Sequence, residues 1–257
     1  MLFDTHAHIF NEYYKDIDEV INSSEKEGVK YICIPGTSVD DSKEAIEIAN
    51  RYENVFAIIG IHPEQAEKYT NSEQIDKDLK IIEKLSKNKK VVAIGEIGLD
   101  NYWTKEYKDI QKILLIKQIN LANKLDLPIV LHIREATNDI IEILKNNKPK
   151  KGGIFHSASF NEYLIKEGLK LGFYISFSGT VTFKNAKPVN SVLMVPDNKL
   201  LIETDSPYLT PHPFRGKQNS PKFVKYTAEK IAEIKNISLK ELEKITTENA
   251  KRLFNIQ

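Results

Sequence analysis

The amino-acid sequence predicts an α/β fold, a single (β/α)8 TIM barrel with extra C-terminal helices that spans residues 1–257. Three observations favour this class. Eight short β-rich runs recur along the chain, segments with helical spacing of apolar residues separate them, and 257 residues is a usual length for one such barrel. No linker rich in proline, glycine or serine divides the sequence, which favours one domain.

The predicted strands alternate with helical segments along the chain. The strands are expected at residues 2–8, 31–36, 55–62, 91–100, 128–133, 153–158, 173–179 and 201–205. The clearest helix covers residues 107–126, and Pro128 opens the strand after it. Residues 221–254 predict two further helices on the outside of the barrel. Ser238, with Glu241 three residues later, has the capping-box pattern that starts the second of them.

Composition and charge exclude several classes of protein. Lys and Arg number 37 against 36 Asp and Glu, so the chain is not expected to coat or package nucleic acid. The single cysteine, Cys33, lies in an apolar run and predicts a buried thiol in a reducing compartment. The sequence shows neither a signal-peptide pattern nor an apolar run of membrane-spanning length. We therefore expect a cytoplasmic protein with no membrane partner.

Two histidines stand one residue apart in the first predicted strand, in the stretch DTHAH. Alternate side chains of a strand share a face, so Asp4, His6 and His8 are expected to point the same way. Other candidates stand near the carboxyl ends of later strands, where barrels of this class carry their active sites. They are His62, Glu96, His132, His156, Glu203 and Asp205. One histidine at a strand end is usually structural, but this many imidazoles and carboxylates at one rim predict a divalent-cation site.

Seven motifs spread over the chain resemble, in order and spacing, those of the TatD family of metal-dependent deoxyribonucleases, within the amidohydrolase-like barrels. They are DTHAH, GIHPE, GEIGLD, LHIREA, FYISFSGTVTFKNA, ETDSPYL and TPHPFRGKQNSP. The resemblance covers essentially the whole chain. It implies a phosphodiester hydrolase with two divalent metal ions as cofactors, whether Mg, Mn or Zn.

The same resemblance implies a role for each residue of the rim. One metal ion would be held by His6, His8 and Asp205, a second by His132 and His156, and Glu96 would bridge the two. His62 would lie beside the scissile phosphate. Asp205 is also a candidate to accept the proton of the attacking water, which makes Asp205, Glu96 and His62 the candidate catalytic residues.

Two further carboxylates share strand faces with the candidate ligands. Asp4 and Glu203 either orient those ligands or make polar contacts inside the barrel without catalytic weight. One motif departs from the family pattern. After His156 the chain reads HSASFN, so Ala158 and Phe160 exchange the expected bulky and small positions, which affects the shape of that loop but not the ligand.

Cations and aromatic residues that follow the strand ends predict how substrate is bound. The candidates are Arg134, Lys184, Arg215 and Lys217 for phosphates, and Tyr102, Trp103, Tyr208 and Phe214 for stacking on bases. A few local cations suit the end of a DNA strand better than a long duplex. We therefore expect cleavage of single-stranded or frayed DNA ends, with 3′ to 5′ polarity as the resemblance implies. RNA is a second candidate substrate, and no obligate protein partner is evident.

Two other functions stay open at this stage. Related barrels with a histidine-rich rim hydrolyse small amides, lactones or phosphoesters, but many of them carry a carbamylated lysine where this sequence has Glu96. The cations of TPHPFRGKQNSP also suit a phosphate better than a cyclic amide. A barrel that binds metal or nucleic acid without catalysis is the other alternative, and the complete set of ligands disfavours it.

Overall fold

The computed structural model describes residues 1–103 and 106–257. The strands are β1 (Leu2–Asp4), β2 (Val29–Pro35), β3 (Val55–Ile59), β4 (Val91–Asp100), β5 (Ile129–Arg134), β6 (Gly153–Phe155), β7 (Tyr174–Phe177) and β8 (Leu200–Ile202). The α-helices are α1 (Ile17–Lys26), α2 (Val39–Asn50), α3 (Ser72–Leu85), α4 (Lys108–Leu125), α5 (Thr137–Asn146), α6 (Glu162–Lys170), α7 (Val189–Met194), α8 (Val224–Lys235) and α9 (Leu239–Phe254). Within these described ranges, no helix is both long enough and apolar enough to cross a membrane.

The strands form one eight-stranded sheet whose order is the order of the chain, from β1 to β8. The pairs β1–β2, β3–β4, β4–β5, β5–β6 and β7–β8 are parallel. Parallel neighbours need a crossover connection, and a helix lies between each strand and the next. This arrangement confirms the predicted (β/α)8 barrel class, including its extra C-terminal helices.

The residues group into two compact units. The first consists of Met1–Ile34, His156–Lys170 and Tyr174–Gln257, and the second of Pro35–Phe155 and Leu171–Phe173. The first unit contains β1, β7, β8 and nearly all of β2, and the second contains β3 to β6. The single domain over residues 1–257 stays a prediction.

The core of the first unit is built by the C-terminal helix against two strands. Helix α9 packs on β1 and β8, and the rings of Phe3 and Phe254 lie 6.0 Å apart between centroids. Both aromatic side chains are buried. The helix begins at the predicted cap, because the Ser238 hydroxyl accepts a hydrogen bond from the backbone N–H of Glu241 at 3.2 Å. The predicted pair of C-terminal helices is confirmed, and a short 3₁₀ turn, Pro221–Phe223, precedes them.

The core of the second unit is organised around β4, all ten residues of which are buried. A strand covered on both faces is expected to be apolar throughout, and the run VVAIGEIGLD is apolar except for its two acidic residues. Helix α4 packs along this strand. It ends at Leu125, one residue before the predicted end, and the residue that follows, Asp126, caps it in the left-handed conformation at φ 58°.

Four strands end three or four residues earlier than the sequence predicts, and each ends within three residues of a candidate site residue. Strand β1 stops at Asp4 instead of residue 8, because the Asp4 carboxylate accepts the backbone N–H of His6 at 3.2 Å. Strands β6 and β8 stop before Ser157 and Asp205, whose backbones are left-handed at φ 40° and 56°. Strand β3 stops because His62 caps the 3₁₀ turn that follows.

The remaining strand bounds differ by smaller amounts. Strand β2 begins two residues before the predicted position, and β5 runs from Ile129 to Arg134 instead of residues 128–133. Strand β7 is shorter than predicted because a 3₁₀ turn, Gly179–Thr182, follows it. Strand β4 has the predicted bounds.

Substituting Gly98 by alanine is expected to destabilise the fold strongly. Gly98 lies in β4 opposite His132, its φ is 146°, and a Cβ there would lie 2.0 Å from the His132 carbonyl oxygen. Overpacking and the unfavourable backbone conformation together should lower the free energy of unfolding by about 3 kcal/mol or more. Urea denaturation measures this loss.

The matched control is Gly28→Ala. Gly28 also has positive φ, 87°, but an added Cβ would meet no described atom within 4 Å. Its cost should be confined to the left-handed penalty of about 1–2 kcal/mol. Equal losses for the two variants would contradict the steric explanation.

Candidate metal centre

The first group of convergent side chains follows β1 and β8 in the first unit. The Nε2 atoms of His6 and His8 are 3.2 Å apart, and the Oδ1 atom of Asp205 lies 3.8 Å and 3.5 Å from them respectively. An ion with ligands at about 2.1 Å separates neighbouring ligand atoms by roughly 3.0–3.5 Å. These three side chains therefore have a spacing close to that of ligands around one divalent cation.

Backbone hydrogen bonds between the two segments fix this arrangement. The N–H of Asp205 donates to the His6 carbonyl at 2.9 Å, and the N–H of His8 donates to the Ser206 carbonyl at 2.7 Å. The left-handed conformation of Asp205 turns its side chain out of the strand direction, and aspartate tolerates that conformation better than most residues. The convergence of the three ligands is thus set by the backbone after the strands, and not by the strands themselves.

Asp4 holds the backbone of this group and not its imidazoles. Its carboxylate accepts from the N–H groups of His6 and Thr204, at 3.2 Å and 2.9 Å, and from the Thr204 hydroxyl at 2.5 Å. Burial raises the pKa of the Asp4 carboxyl to about 8, although the Thr204 and His6 hydrogen bonds oppose this shift. Asp4 thus hydrogen-bonds to the backbone of a candidate ligand, and its orienting role stays a prediction.

Glu203 and His156 form a second carboxylate–imidazole pair in the same unit. Oε1 of Glu203 lies 3.0 Å from His156 Nδ1 and accepts the backbone N–H of Ser157 at 2.6 Å. The His156 ring stacks on the His6 ring at 3.9 Å between centroids. A carboxylate on one ring nitrogen is the usual way to orient a metal-binding histidine. Glu203 therefore lies where an orienting residue is expected.

The donor chemistry of this unit fits a cation. Glu203 Oε2 is buried and has no hydrogen-bond partner among the described residues. Ligand atoms of His6, His156 and Glu203 all lie within 4.8 Å of one another. A buried carboxylate oxygen without a hydrogen bond costs free energy, which a cation would offset.

The neighbouring imidazoles also keep Asp205 ionised. Burial alone would raise the pKa of its carboxyl, but His8, which hydrogen-bonds to it, and the nearby His156 and His6 lower the pKa below its ordinary value. An ionised carboxylate at neutral pH can bind a cation and can accept a proton.

The second group lies in the second unit, on β4, β5 and the turn after β3. Glu96 Oε1 is 3.0 Å from His132 Nδ1 and 3.4 Å from His62 Nε2. Ligand atoms of the three residues lie within 4.8 Å of one another. Glu96 and His62 are buried, and His132 is partly exposed. This unit thus offers a second set of donors that could hold a cation.

Asp100 is a site residue that the sequence analysis missed. Its Oδ2 atom is 2.8 Å from His132 Nε2, on the ring nitrogen opposite Glu96. Burial would raise the pKa of Asp100, but the His132 contact, the Tyr102 N–H and Arg134 lower it. The signal was present in GEIGLD, because residues 96, 98 and 100 share one face of a strand. Asp100 thus contacts His132 on a ring nitrogen as Glu203 contacts His156.

His62 is placed as a hydrogen-bond donor. Its Nδ1 accepts the backbone N–H of Glu64 at 3.2 Å, and burial lowers the pKa of the imidazole although Glu96 opposes this. A neutral imidazole that accepts at Nδ1 carries its proton on Nε2, the atom that faces Glu96. In this tautomer His62 can donate to an oxygen but cannot ligate a metal through Nε2. The position of His62 beside a phosphate stays a prediction.

An exposed cluster of a cation and two aromatic rings adjoins the second group. The Arg134 guanidinium lies 3.8 Å from the Tyr102 ring centroid and 5.3 Å from that of Trp103. The two rings meet edge to face at 4.9 Å. The backbone N–H of Tyr102 donates to Asp100 at 2.9 Å, which connects this cluster to the partner of His132. These three predicted substrate contacts are therefore assembled in one place.

The other predicted substrate contacts lie in the first unit. Tyr208 is half exposed, packs edge to face on His8 at 6.1 Å and donates its hydroxyl to that of Tyr13. Arg215 stacks on Phe183 at 3.9 Å and donates to the Thr210 carbonyl. Three further residues complete this set: Lys184 is exposed, Lys217 lies over the Phe214 ring at 5.6 Å, and Phe214 stacks on Phe223.

The unusual loop after β6 is accommodated by packing. Ala158 is buried and its N–H donates to the Ser176 carbonyl at 2.9 Å. The Phe160 ring stacks against Phe177 of β7 at 6.3 Å. Ala158 is thus held by its backbone and Phe160 by a ring contact, while His156 Nδ1 lies 3.0 Å from Glu203 Oε1.

Comparison with known proteins places this geometry in context. A family model described as TatD related DNase matches residues 3–255. Over 259 aligned residues the chain is 48% identical to an uncharacterized metal-dependent hydrolase of Bacillus subtilis, YabD, and the match covers all of both proteins. It is 36% identical to an uncharacterized metal-dependent hydrolase of Escherichia coli, YcfH, covering 99% of this chain and 96% of that protein.

Solved structures show the same similarity. The TatD homologue YJJV of Escherichia coli superposes with a TM-score of 0.92 at 28% identity, covering 100% of this chain and 98% of that one. A hydrolase TatD family protein from Entamoeba histolytica superposes with a TM-score of 0.85 at 26% identity, with the same coverage. The phosphotriesterase homology protein of Escherichia coli shares the fold, with a TM-score of 0.70 at 15% identity over 98% of both chains.

Proposed function

The chain belongs to the TatD family of metal-dependent hydrolases, and from that membership we propose that it hydrolyses the phosphodiester bonds of DNA. The proposed substrate is single-stranded DNA or a frayed duplex end, degraded from its 3′ terminus. RNA is a second candidate substrate. The proposed setting is the cytoplasm, without an obligate protein partner.

We assign the metal-holding role to the two groups of donors. In the first unit His6, His8 and Asp205 would hold a divalent cation, and in the second unit Glu96 and His132 would do so. When bound, such ions stabilise charge on phosphodiester oxygens and lower the pKa of water. Imidazole donors favour Zn or Mn by affinity, whereas Mg is abundant in cells, so the choice of ion is left to experiment. The bridging by Glu96 and the pairing of His132 with His156 on one ion stay predictions.

The side chains themselves supply binding and proton transfer in this proposal. Asp205, kept ionised by its imidazole neighbours, accepts the proton of the attacking water. His62, protonated on Nε2, donates a hydrogen bond to a phosphate oxygen as charge develops. His62 is buried and the Asp205 side chain is only 14% exposed, so little water competes for these interactions.

One observation supports nucleic acid over a small ester or amide. The Tyr102, Trp103 and Arg134 cluster is exposed and is joined through Asp100 to His132. Exposed rings stack on unpaired bases, and a guanidinium pairs with phosphate. A small amide or lactone would need neither group, whereas an unpaired strand end uses both.

The deciding experiment uses metal-stripped protein and end-labelled substrates. Single-stranded DNA, duplex DNA and RNA are incubated after Mg, Mn or Zn is added back. Products that shorten from the 3′ end, and that disappear on chelation, support the proposal. If the reloaded protein leaves every nucleic acid intact but turns over an ester, lactone or amide, the nuclease assignment fails and the small-molecule hydrolase replaces it.

Replacing Trp103 by alanine tests the stacking contact. Trp103 is 67% exposed, so its loss should cost the fold little, whereas stacking on a base contributes about 1–3 kcal/mol. We expect KM for single-stranded DNA to rise about tenfold with little change in kcat. Tyr163→Ala, at an exposed aromatic of α6, serves as the control and should leave KM unchanged. If the wild type and both variants have the same KM, Trp103 does not contact the substrate.

A further inference from the structure

Helix α4 carries two buried glutamines whose side chains hydrogen-bond to the backbone of the second unit. Oε1 of Gln118 accepts the N–H of Ile61 at 2.8 Å, and its Nε2 donates to the carbonyl of the same residue at 2.9 Å. The side-chain amide thus satisfies both backbone groups of one residue, as a neighbouring strand would. Gln118 is fully buried, so no water can replace it readily.

Gln111 makes the same pair of hydrogen bonds to Asp100, the residue whose carboxylate contacts His132. Its Oε1 accepts the N–H of Asp100 at 2.9 Å, and its Nε2 donates to the Asp100 carbonyl at 2.9 Å. Gln111 and Gln118 are seven residues apart, which is close to two helical turns, so both side chains leave α4 on the same face. One straight helix therefore holds two points of the backbone at a fixed separation.

The two gripped residues are adjacent to the chemistry of this unit. Ile61 immediately precedes His62, whose own N–H donates to the Thr37 carbonyl at 2.9 Å. Asp100 carries the carboxylate that faces His132 Nε2 at 2.8 Å. A rotation of either peptide would move the attached imidazole or carboxylate by a comparable distance. A displacement of about 1 Å at a catalytic group can cost about 100-fold in rate.

We propose that Gln111 and Gln118 are positioning residues of the candidate site: Gln118 fixes His62, and Gln111 fixes Asp100 and through it His132. The catalytic part of this inference rests on the proposed phosphodiester hydrolysis, whereas the geometric part does not. Helix α4 thereby sets the orientation of a hydrogen-bond donor and of a metal-binding imidazole together.

The same helix provides a matched control. Asn123 Nδ2 donates to the Lys148 carbonyl at 3.1 Å, and its Oδ1 accepts the N–H of Lys150 at 2.7 Å. This amide also hydrogen-bonds to the backbone, but to a segment that precedes β6 and carries no candidate site residue. Removing it should affect folding alone.

The test compares Gln118→Met, Gln111→Met and Asn123→Leu, each of which replaces an amide with an apolar chain of similar size. In metal-free protein labelled with nitrogen-15, Gln118→Met should shift the imidazole resonances of His62, and Gln111→Met those of His132. Gln111→Met should weaken Mn binding about 10- to 100-fold. Gln118→Met should lower kcat on single-stranded DNA about 10- to 100-fold, with KM changed less than about threefold. Asn123→Leu should change none of these.

Each outcome decides a separate point. The inference is overturned if both glutamine variants have the same imidazole resonances, Mn affinity and kcat as Asn123→Leu. Shifted resonances and weakened Mn binding in a protein that cleaves no phosphodiester would support the positioning role and refute the proposed function. If a Met variant does not fold, Gln118→Glu or Gln111→Glu, which keeps the acceptor for the N–H, is measured in its place and judged by the same criteria.

Discussion

Replacing Asp205 by asparagine is expected to lower kcat on single-stranded DNA about 1,000-fold. The amide removes the charge that three imidazoles hold in place and also removes the proton acceptor, while it keeps the size of the side chain. The effect should fall on kcat more than on KM, because the substitution leaves the aromatic and cationic side chains assigned to DNA binding unchanged. Single-turnover cleavage of end-labelled DNA, with the metal content measured in parallel, separates loss of the ion from loss of the base.

The control for this substitution is Asp197→Asn. Asp197 pairs with Lys235 at 2.9 Å and is more than half exposed, so the same chemical change there should leave the rate unaffected. An Asp205→Asn enzyme with its metal ions and its full rate would end the assignment of Asp205 as ligand and base.

Replacing His132 by alanine should produce the second large effect. His132 faces Glu96 on one ring nitrogen and Asp100 on the other, so its removal takes an imidazole contact from each of two buried carboxylates. We expect loss of about one bound Mn per chain, because the second unit then keeps only one of its two assigned ligands. Activity should fall at least about 100-fold at ordinary Mn concentrations. The metal-to-protein ratio after dialysis and the cleavage rate measure these effects.

The matched control is His212→Ala. His212 is exposed and follows the last strand, outside the two groups of candidate ligands. Its removal should leave both the metal content and the rate unchanged. If His132→Ala retains the wild-type metal content, the second unit does not hold an ion through this imidazole, and the chemistry would have to depend on the first unit alone.

The spacing of apolar residues along the chain predicted most of the fold. Alternating strand and helix patterns predicted the (β/α)8 class, the bounds of β4 and the capped start of α9, because each depends on local properties that neighbouring residues share. The strand ends were predicted less well. Backbone in left-handed conformation at Ser157 and Asp205 cannot be anticipated from a run of apolar residues, since it is imposed by contacts with distant segments.

The candidate site was also predicted in part. Spacing and motif resemblance indicated the histidines and Asp205, and the structure groups them within each unit close enough to share a cation. Asp100 was missed, although it shares a strand face with Glu96. The two glutamines of α4 could not be recognised from the sequence, because a polar residue in an amphipathic helix is ordinarily expected at the surface. Only the packed structure shows that both are buried.

The sequence by itself determined the fold class, the family and which residue types could bind a metal. These follow from periodicity and from motifs in which the informative residues are close together along the chain. The tertiary structure decided the roles of individual atoms: which nitrogen of His132 faces which carboxylate, where His62 carries its proton and which amides hold the backbone in register. Those roles depend on hydrogen bonds between segments remote in sequence, whose geometry is fixed only when the core packs and excludes water.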